Sequence, residues 1–250
     1  MTQALFDAHL HIIDPTFPLV ANQGFLPDAF SVNDYLNRMA GYDLRGGVVV
    51  SGSFQAFDQG YLLAALSRLG HRYVGVTQLP ASTTDEQLLE LHQAGIRGVR
   101  FNLQRGGSEN VGELAAFGQR IYELAGWHVE LYADAAQLSS LIPTLCRLPS
   151  VVIDHLGLTA AGQGCLLSLV DAGVRVKATG FGRLDFPAEQ ALQAIYAANP
   201  DALMFGSDLP STRAPRPFDD ADVALVRQCL GEQGAAKVLC DNAMTFYLRE

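Results

Sequence analysis

The chain has 250 residues, 49% hydrophobic and 17% charged, a balance that fits a soluble globular protein with a large core. A formal net charge of -9 with no basic run argues against nucleic acid or an anionic membrane surface as partner. No stretch approaches the roughly 20 uncharged apolar residues of a membrane span, and the N-terminus enters a strand without the segments of a signal peptide. Cys146, Cys165, Cys229 and Cys240 are widely spaced and form no Cys-x-x-Cys. They read as buried thiols of a cytoplasmic protein, not as a disulfide or zinc framework.

Short apolar, β-branched runs alternate with helical patterns from end to end. Strands are expected at 4–9, 47–51, 73–78 and 96–102, and again at 128–132, 151–154, 175–178 and 203–206. Most are apolar on successive residues, as strands covered on both faces must be. Apolar spacing of three and four predicts helices over 61–69, 85–94, 111–124, 135–145 and 188–198, with a final one-faced helix over 235–248. Ser31 and Thr84 are placed as N-caps. Eight such units predict a single (β/α)8 barrel domain spanning 1–250. A doubly wound sheet is disfavoured because no glycine-rich dinucleotide fingerprint follows the first strand. The long loop from Asp14 to Phe30 is placed as a roof over the C-terminal ends of the strands, where barrel active sites form.

Polar residues gather at those strand ends. The first strand supplies His9 and His11, which share a face because strand side chains alternate. The second supplies Ser51 and Ser53, for at least one of which a plain turn role is expected. The fourth gives Arg100 and Asn102, with Arg105 beyond. The fifth gives Glu130 and Tyr132, the sixth Asp154 and His155, the seventh Lys177 and Thr179 with Arg183 following, and the eighth Asp208. Each has an ordinary structural role open to it: Asp208 could cap the turn at Leu209-Pro210, and His155 could sit in the core. Arg100 and Lys177 could be paired barrel charges, with Glu130 the nearest candidate partner. Alternation points Asp154 away from His155, toward anchoring its strand or the next helix. Three histidines and one aspartate on a single rim are nonetheless a less ordinary combination than any one of them.

That constellation resembles the amidohydrolase superfamily, in its amidohydrolase-related (amidohydrolase 2) branch. The matching blocks are Asp7-Ala8-His9-Leu10-His11, Gly98-Val99-Arg100-Phe101-Asn102, Asp154-His155-Leu156-Gly157, Val176-Lys177-Ala178-Thr179-Gly180 and Gly206-Ser207-Asp208-Leu209-Pro210. Gly126-Trp127-His128-Val129-Glu130-Leu131-Tyr132 and the Arg100, Arg105 and Arg183 trio are most similar to 2-pyrone-4,6-dicarboxylate hydrolases and related lactonases. The chain departs from that pattern at Leu209, Ser211 and Phe25, where relatives often carry Trp, His and Tyr. These departures bear on substrate identity more than on chemistry.

The resemblance implies a hydrolase of aromatic catabolism that opens a carboxylated lactone by attack of water. Asp208 would be the general base, and His9, His11 and His155 would polarise the carbonyl. Arg100, Arg105, Arg183 and Lys177 would hold substrate carboxylates, with Tyr132 and Ser53 completing the polar contacts. It also implies a site without metal, since arginine on strand four cannot ligate. Zinc held by His9, His11, Glu130 and Asp208 is the alternative, within an amidohydrolase or decarboxylase acting on a ring-derived carboxylate. A sugar-acid lactonase and a non-catalytic barrel that binds a small acid are further alternatives. The expected partner is a small carboxylated molecule, with a homo-oligomer left open.

Overall fold

Eight strands lie parallel in one sheet whose spatial order repeats the chain order. They are β1 (Ala4–Leu10), β2 (Asp43–Val50), β3 (Tyr73–Thr77), β4 (Ile96–Asn102), β5 (His128–Tyr132), β6 (Val151–Ile153), β7 (Arg175–Ala178) and β8 (Leu203–Phe205). The computed structural model describes residues 4–248. Helices α1 (Val32–Arg38), α2 (Gly60–Leu69), α3 (Asp85–Gln93), α4 (Leu114–Ala125), α5 (Ile142–Leu145), α6 (Gln163–Asp171), α7 (Ala188–Ala198) and α8 (Asp220–Ala236) follow the strands in turn. The architecture is a (β/α)8 barrel. Ser31 and Thr84 both close capping boxes at the starts of α1 and α3.

The barrel closes where β8 meets β1. The Asp208 N–H donates to the His9 carbonyl and the His11 N–H to the Leu209 carbonyl, each at 2.7 Å. Beside this seam, Asp7 accepts from the Ser207 N–H at 2.8 Å, the Ser207 hydroxyl at 2.6 Å and the Tyr35 hydroxyl at 3.2 Å. Gly206 permits the close approach, because a Cβ there would lie 2.7 Å from both the His9 Cβ and its nitrogen.

Two apolar clusters divide the strand residues by parity. Leu5, Val49, Val99, Phe101, Val129, Leu131, Ile153, Val176 and Phe205 pack outward against the helices. Phe6, Ala8, Val48, Val50, Val74, Val76, Val152 and Met204 fill the lower interior. A π turn over Lys237–Asp241 carries the chain from α8 into α9 (Asn242–Tyr247), which plugs the N-terminal mouth. There Cys240, Ala243 and Tyr247 join the interior cluster, and Tyr247 stacks on Phe6 with ring centroids 6.1 Å apart. The expected 235–248 helix is present as one helical run through this π turn to Tyr247, and it begins earlier, just after the break at Gly231. The expected 135–145 helix reduces to two 3-10 turns and the four-residue α5, with Pro143 in its first turn, where the missing N–H is harmless. The α6 and α8 helices lay outside the expected set. The first is apolar almost all round, and the second carries Gly231 in the left-handed region, so neither shows a clean helical stripe. Of the cysteines only Cys240 is buried, Cys146 is exposed, and all four are free thiols. No helix among the described residues is long and apolar enough to cross a membrane.

Candidate active site

A break in the register of β1 between Asp7 and Leu10 re-aims the first strand. In a regular strand Phe6, Ala8 and Leu10 would share one face; here Phe6 and Ala8 point inward and Leu10 outward. His9 and His11 thereby both enter the interior, with ring centroids 5.1 Å apart. His155 joins them, its ring 4.9 Å from that of His9. It does so because residue 155 is left-handed (φ 51°), which cancels the alternation that should separate it from Asp154. Asp154 therefore also faces inward, correcting the expectation that it anchors its strand or the next helix. Asp208 is likewise left-handed (φ 60°), a conformation that is uncommon outside glycine and clusters at functional sites.

Below the rim lies a fully buried charged layer. Asp154 Oδ2 receives Arg100 Nη2 at 2.7 Å and Nε at 3.0 Å, while Arg100 Nη1 donates to the Ser51 carbonyl at 3.0 Å. Asp154, not Glu130, is thus the main partner of Arg100; Glu130 stands 3.8 Å from it. Glu130 instead takes the Lys177 ammonium at 2.5 Å. Lys177 is completely buried and absent from the cleft lining, so the structure moves it from substrate contact to the barrel interior. Its Nζ also stands 3.3 Å from His9 Nδ1, and Asp154 Oδ1 lies at the same 3.3 Å from that atom. Burial, then the Lys177 charge, hold the His9 ring well below its usual range, so it is neutral near pH 7.

Above this layer a cleft opens whose walls include His11, Ser53, Arg105, Tyr132, His155 and Arg183. Arg100 reaches its edge with its guanidinium 5.1 Å from the Tyr132 ring centroid. Asp208 forms part of the floor. Its Oδ2 accepts from Arg183 Nε at 2.7 Å, and Arg183 Nη2 donates to the Thr212 carbonyl at 2.8 Å. Its Oδ1 has no hydrogen-bond partner among the described residues, and stands 3.6 Å from His11 Nε2 and 3.8 Å from His9 Nε2. Burial works to raise the Asp208 carboxyl, but the Arg183 guanidinium and then His155 outweigh it and hold the group well below the carboxylate range. Burial pushes His155 down to about 4, so that ring is also neutral. Ser51 is structural, its hydroxyl 2.6 Å from that of Tyr61. His128 sits beneath Glu130 at the opposite end, packed on Phe246 and Tyr247.

Residues 6–249 match the family model described as Amidohydrolase. The chain belongs to the amidohydrolase family. It is 34% identical over 162 residues to a 2-pyrone-4,6-dicarboxylate hydrolase of Comamonas testosteroni, a match covering 60% of this chain and 51% of that protein. The chain thus spans about half the length of that relative in the match. It is 28% identical to a 4-sulfomuconolactone hydrolase of Rhizobium radiobacter, over 82% of this chain and 75% of that one. A crystal structure from Acinetobacter baumannii, described as a probable 2-pyrone-4,6-dicarboxylic acid hydrolase with citric acid bound, superposes with a TM-score of 0.84 at 25% identity, covering 98% and 99% of the two chains.

Amidohydrolase-family hydrolases often hold a metal, and the residues present fit one. His9, His11 and Asp208 bring three ligand atoms within 4.8 Å of one another, two of them, His9 Nε2 and Asp208 Oδ1, buried without a hydrogen-bond partner. Glu130 does not complete this set as expected. It faces the Nδ1 side of His9 at 3.8 Å and is committed to Lys177.

Arg213 was not foreseen. It lines the cleft from the loop after β8, and the only trace of it in the sequence is a basic residue five positions past Asp208, with Arg216 a competing choice. Arg216 turns out to pair with Asp222 at 2.7 Å. Of the departures from the family pattern, Leu209 is buried in the outer core and the Ser211 hydroxyl accepts from the Phe218 N–H at 3.0 Å. Phe25, in the long loop, lies against the Arg213 guanidinium, 4.3 Å from ring centroid to Cζ.

Proposed function

We propose that the protein hydrolyses a carboxylated lactone of the 2-pyrone-4,6-dicarboxylate type, with Asp208 as general base. The observation that carries this reading is the free Asp208 Oδ1, facing two histidine Nε2 atoms at the floor of an arginine-walled cleft. A water held in that gap loses a proton to Asp208 as its oxygen attacks the lactone carbonyl carbon. The developing oxyanion is met by neutral N–H donors. His155 is one, and His9 is the other when Lys177 donates to its Nδ1 and leaves the proton on Nε2. Collapse of the tetrahedral intermediate breaks the ring C–O bond, leaving a carboxylic acid and an enolate on one ring-opened molecule, and Asp208 returns its proton to that product. An enolate is a good leaving group, so strong electrophilic assistance is not obligatory.

In this reading His11 takes an orienting part in place of the carbonyl-polarising part expected of it. Its Nδ1 lies 2.7 Å from the Val50 carbonyl, which only accepts, so Nδ1 carries a proton and the lone pair this mechanism uses is the one on Nε2. His11 then accepts from the water and orients it toward Asp208. In this reading Arg183 meets a substrate carboxylate beside the base; Tyr132 and Ser53 line the same cleft. The names of the relatives, two of them hydrolases of carboxylated or sulfonated lactones, support this substrate class.

A second reading has its own observation. A histidine that donates Nδ1–H to a backbone carbonyl and offers Nε2 is also arranged as a metal ligand. His9, His11 and Asp208 would hold a zinc ion, which when bound supplies Lewis-acid polarisation of the carbonyl or an activated water. The metal-free reading is favoured on charge: the carboxylate of that set is already matched by Arg183 at 2.7 Å, and Asp154, the carboxylate of a second grouping with His9 and His155, is matched by Arg100 at 2.7 Å.

Incubation of metal-analysed protein with 2-pyrone-4,6-dicarboxylate, following loss of pyrone absorbance, tests both. Turnover that persists in chelator and vanishes in Asp208→Asn is expected. Stoichiometric zinc whose removal abolishes turnover would instead establish the second reading, and unimpaired turnover in Asp208→Asn would remove Asp208 as base.

A further inference from the structure

The charges of the site do not balance. Arg100, Lys177 and Arg183 face Asp154, Glu130 and Asp208 at 2.7, 2.5 and 2.7 Å, three cations against three carboxylates. Arg105 and Arg213 also line the cleft, and among the described residues neither has a carboxylate within ion-pair distance. In a protein of net charge -9, this leaves two positive charges at the mouth of the site.

Both arginines also line a second recess just outside the cleft, which shares Tyr132 and Arg183 with it. The recess contains one carboxylate, Asp185, whose Oδ1 is occupied by the Ala160 N–H at 2.7 Å. The Asp14–Phe30 loop meets both arginines through the hydrogen bonds of Asn22. Asn22 Nδ2 donates to the Arg105 carbonyl at 3.1 Å, while Arg213 Nη2 donates to the Asn22 carbonyl at 2.6 Å and to its Oδ1 at 3.2 Å. Phe25 supports the Arg213 guanidinium from one side. Residue 213 is left-handed (φ 57°), as are Asp208 and His155, so the backbone is bent to present this side chain. Burial, and after it the Arg105 charge, push the Arg213 guanidinium down from its ordinary value.

From this geometry we infer that Arg213 joins Arg105, whose carboxylate-holding role the resemblance already implies, in an outer subsite that takes the acid group of the substrate farthest from the reacting carbonyl. The inference rests on the reading of the cleft as a lactone site, and it deepens that reading by assigning a specificity residue on the loop after β8. Arg100 is spent on Asp154 and Ser51, so the distal acid group falls to the two unmatched guanidiniums. Asn22 then links occupation of the subsite to the position of the Asp14–Phe30 loop.

Citrate, a tricarboxylate that is not turned over, is the probe, with binding read by titration calorimetry at low and moderate salt. Wild type binds, and Arg213→Gln and Arg105→Gln each weaken binding by about ten-fold or more, the usual loss for one charge-assisted hydrogen-bonded pair. Arg213→Lys retains part of the affinity, and Asn22→Ala, which removes the side-chain bonds of the strap but neither its backbone bond nor the charge, changes it by less than about three-fold. With 2-pyrone-4,6-dicarboxylate the same Arg213→Gln change raises KM while kcat moves little. Unchanged citrate affinity in Arg213→Gln overturns the subsite. So does an Asn22→Ala variant as weak as Arg213→Gln, which would make Arg213 a brace for the loop. If wild type fails to open the pyrone while citrate binding still depends on Arg213, the subsite stands and the lactonase reading fails.

Discussion

Arg183 Nε and Asp208 Oδ2 lie 2.7 Å apart, so the proposed general base is held by a guanidinium on one oxygen while the other faces the histidines. The Asp208 pKa is depressed well below 3.8, so the folded protein keeps this carboxylate ionised across the ordinary acid range. Activity in wild type should therefore show no acid limb from Asp208 until pH falls well below the ordinary carboxylate value. Arg183→Met removes the first counter-charge and leaves burial to act in the opposite direction. The acid limb of kcat/KM should then move upward in pH, and Asp208→Asn should lose on the order of 10²–10⁴-fold in turnover. A pH–rate profile of Arg183→Met that overlays wild type would break this link.

Lys177 and Glu130 form a completely buried ion pair at 2.5 Å in the barrel interior. Removing one partner strands the other charge out of reach of water. Lys177→Met should destabilise the protein by roughly 3–5 kcal/mol in urea unfolding. The double change with Glu130→Leu should recover much of that loss, since the desolvation penalty leaves with the pair. A single variant within about 1 kcal/mol of wild type would mean the pair is dispensable.

Asp7 clasps the β8–β1 seam, and burial raises its carboxyl from 3.8 to about 6. Its folded pKa lies above the unfolded one, so the folded state binds this proton more tightly. The stabilising contribution is full below 3.8 and declines as pH rises through about 6. The shift corresponds to a loss on the order of 3 kcal/mol, at about 1.36 kcal/mol per pKa unit. Asn at this position still accepts from the backbone N–H groups, and the Ser207 and Tyr35 hydroxyls can turn to accept from it. Asp7→Asn should therefore gain stability relative to wild type between pH 4 and 7 in paired unfolding titrations. A stability difference that stays flat across that interval would contradict the shift.

Gly206 leaves no space for a side chain beside His9. Gly206→Ala should cost roughly 1–3 kcal/mol through overpacking. Because the displaced atoms belong to His9, kcat should fall as well, by more than substitution at the remote Gly164, where a Cβ would meet nothing within 4 Å. Thermal unfolding and turnover measured on the same preparations decide it.

The barrel was legible in the chain because its signals are local. Apolar runs such as Val48-Val49-Val50 and Val151-Val152-Ile153 mark strands buried on both faces, and Thr84 with Gln87 marks a helix start. The rim was legible because a barrel places its chemistry at strand ends, so position alone nominated His9, His11, His155 and Asp208. Helix α6 escaped because it is apolar almost all round, and α5 was overdrawn because an apolar stripe does not register the effect of Pro143.

By itself, then, the sequence determined the fold, the family and the residues that share one rim, since each depends on patterns within a strand or a turn. Partnership depended on the tertiary structure. Left-handed turns at His155 and Asp208 and a register break in β1 overrode simple alternation, turning Asp154 toward Arg100 and both histidines inward. Glu130 could have served Arg100 or a metal, and only closure of the barrel assigned it to Lys177. Nothing local separates Arg213 from Arg216. Its place beside Arg105 exists because closure brings the loop after β8 and the loop after β4 to the same mouth, where their charges meet across Asn22.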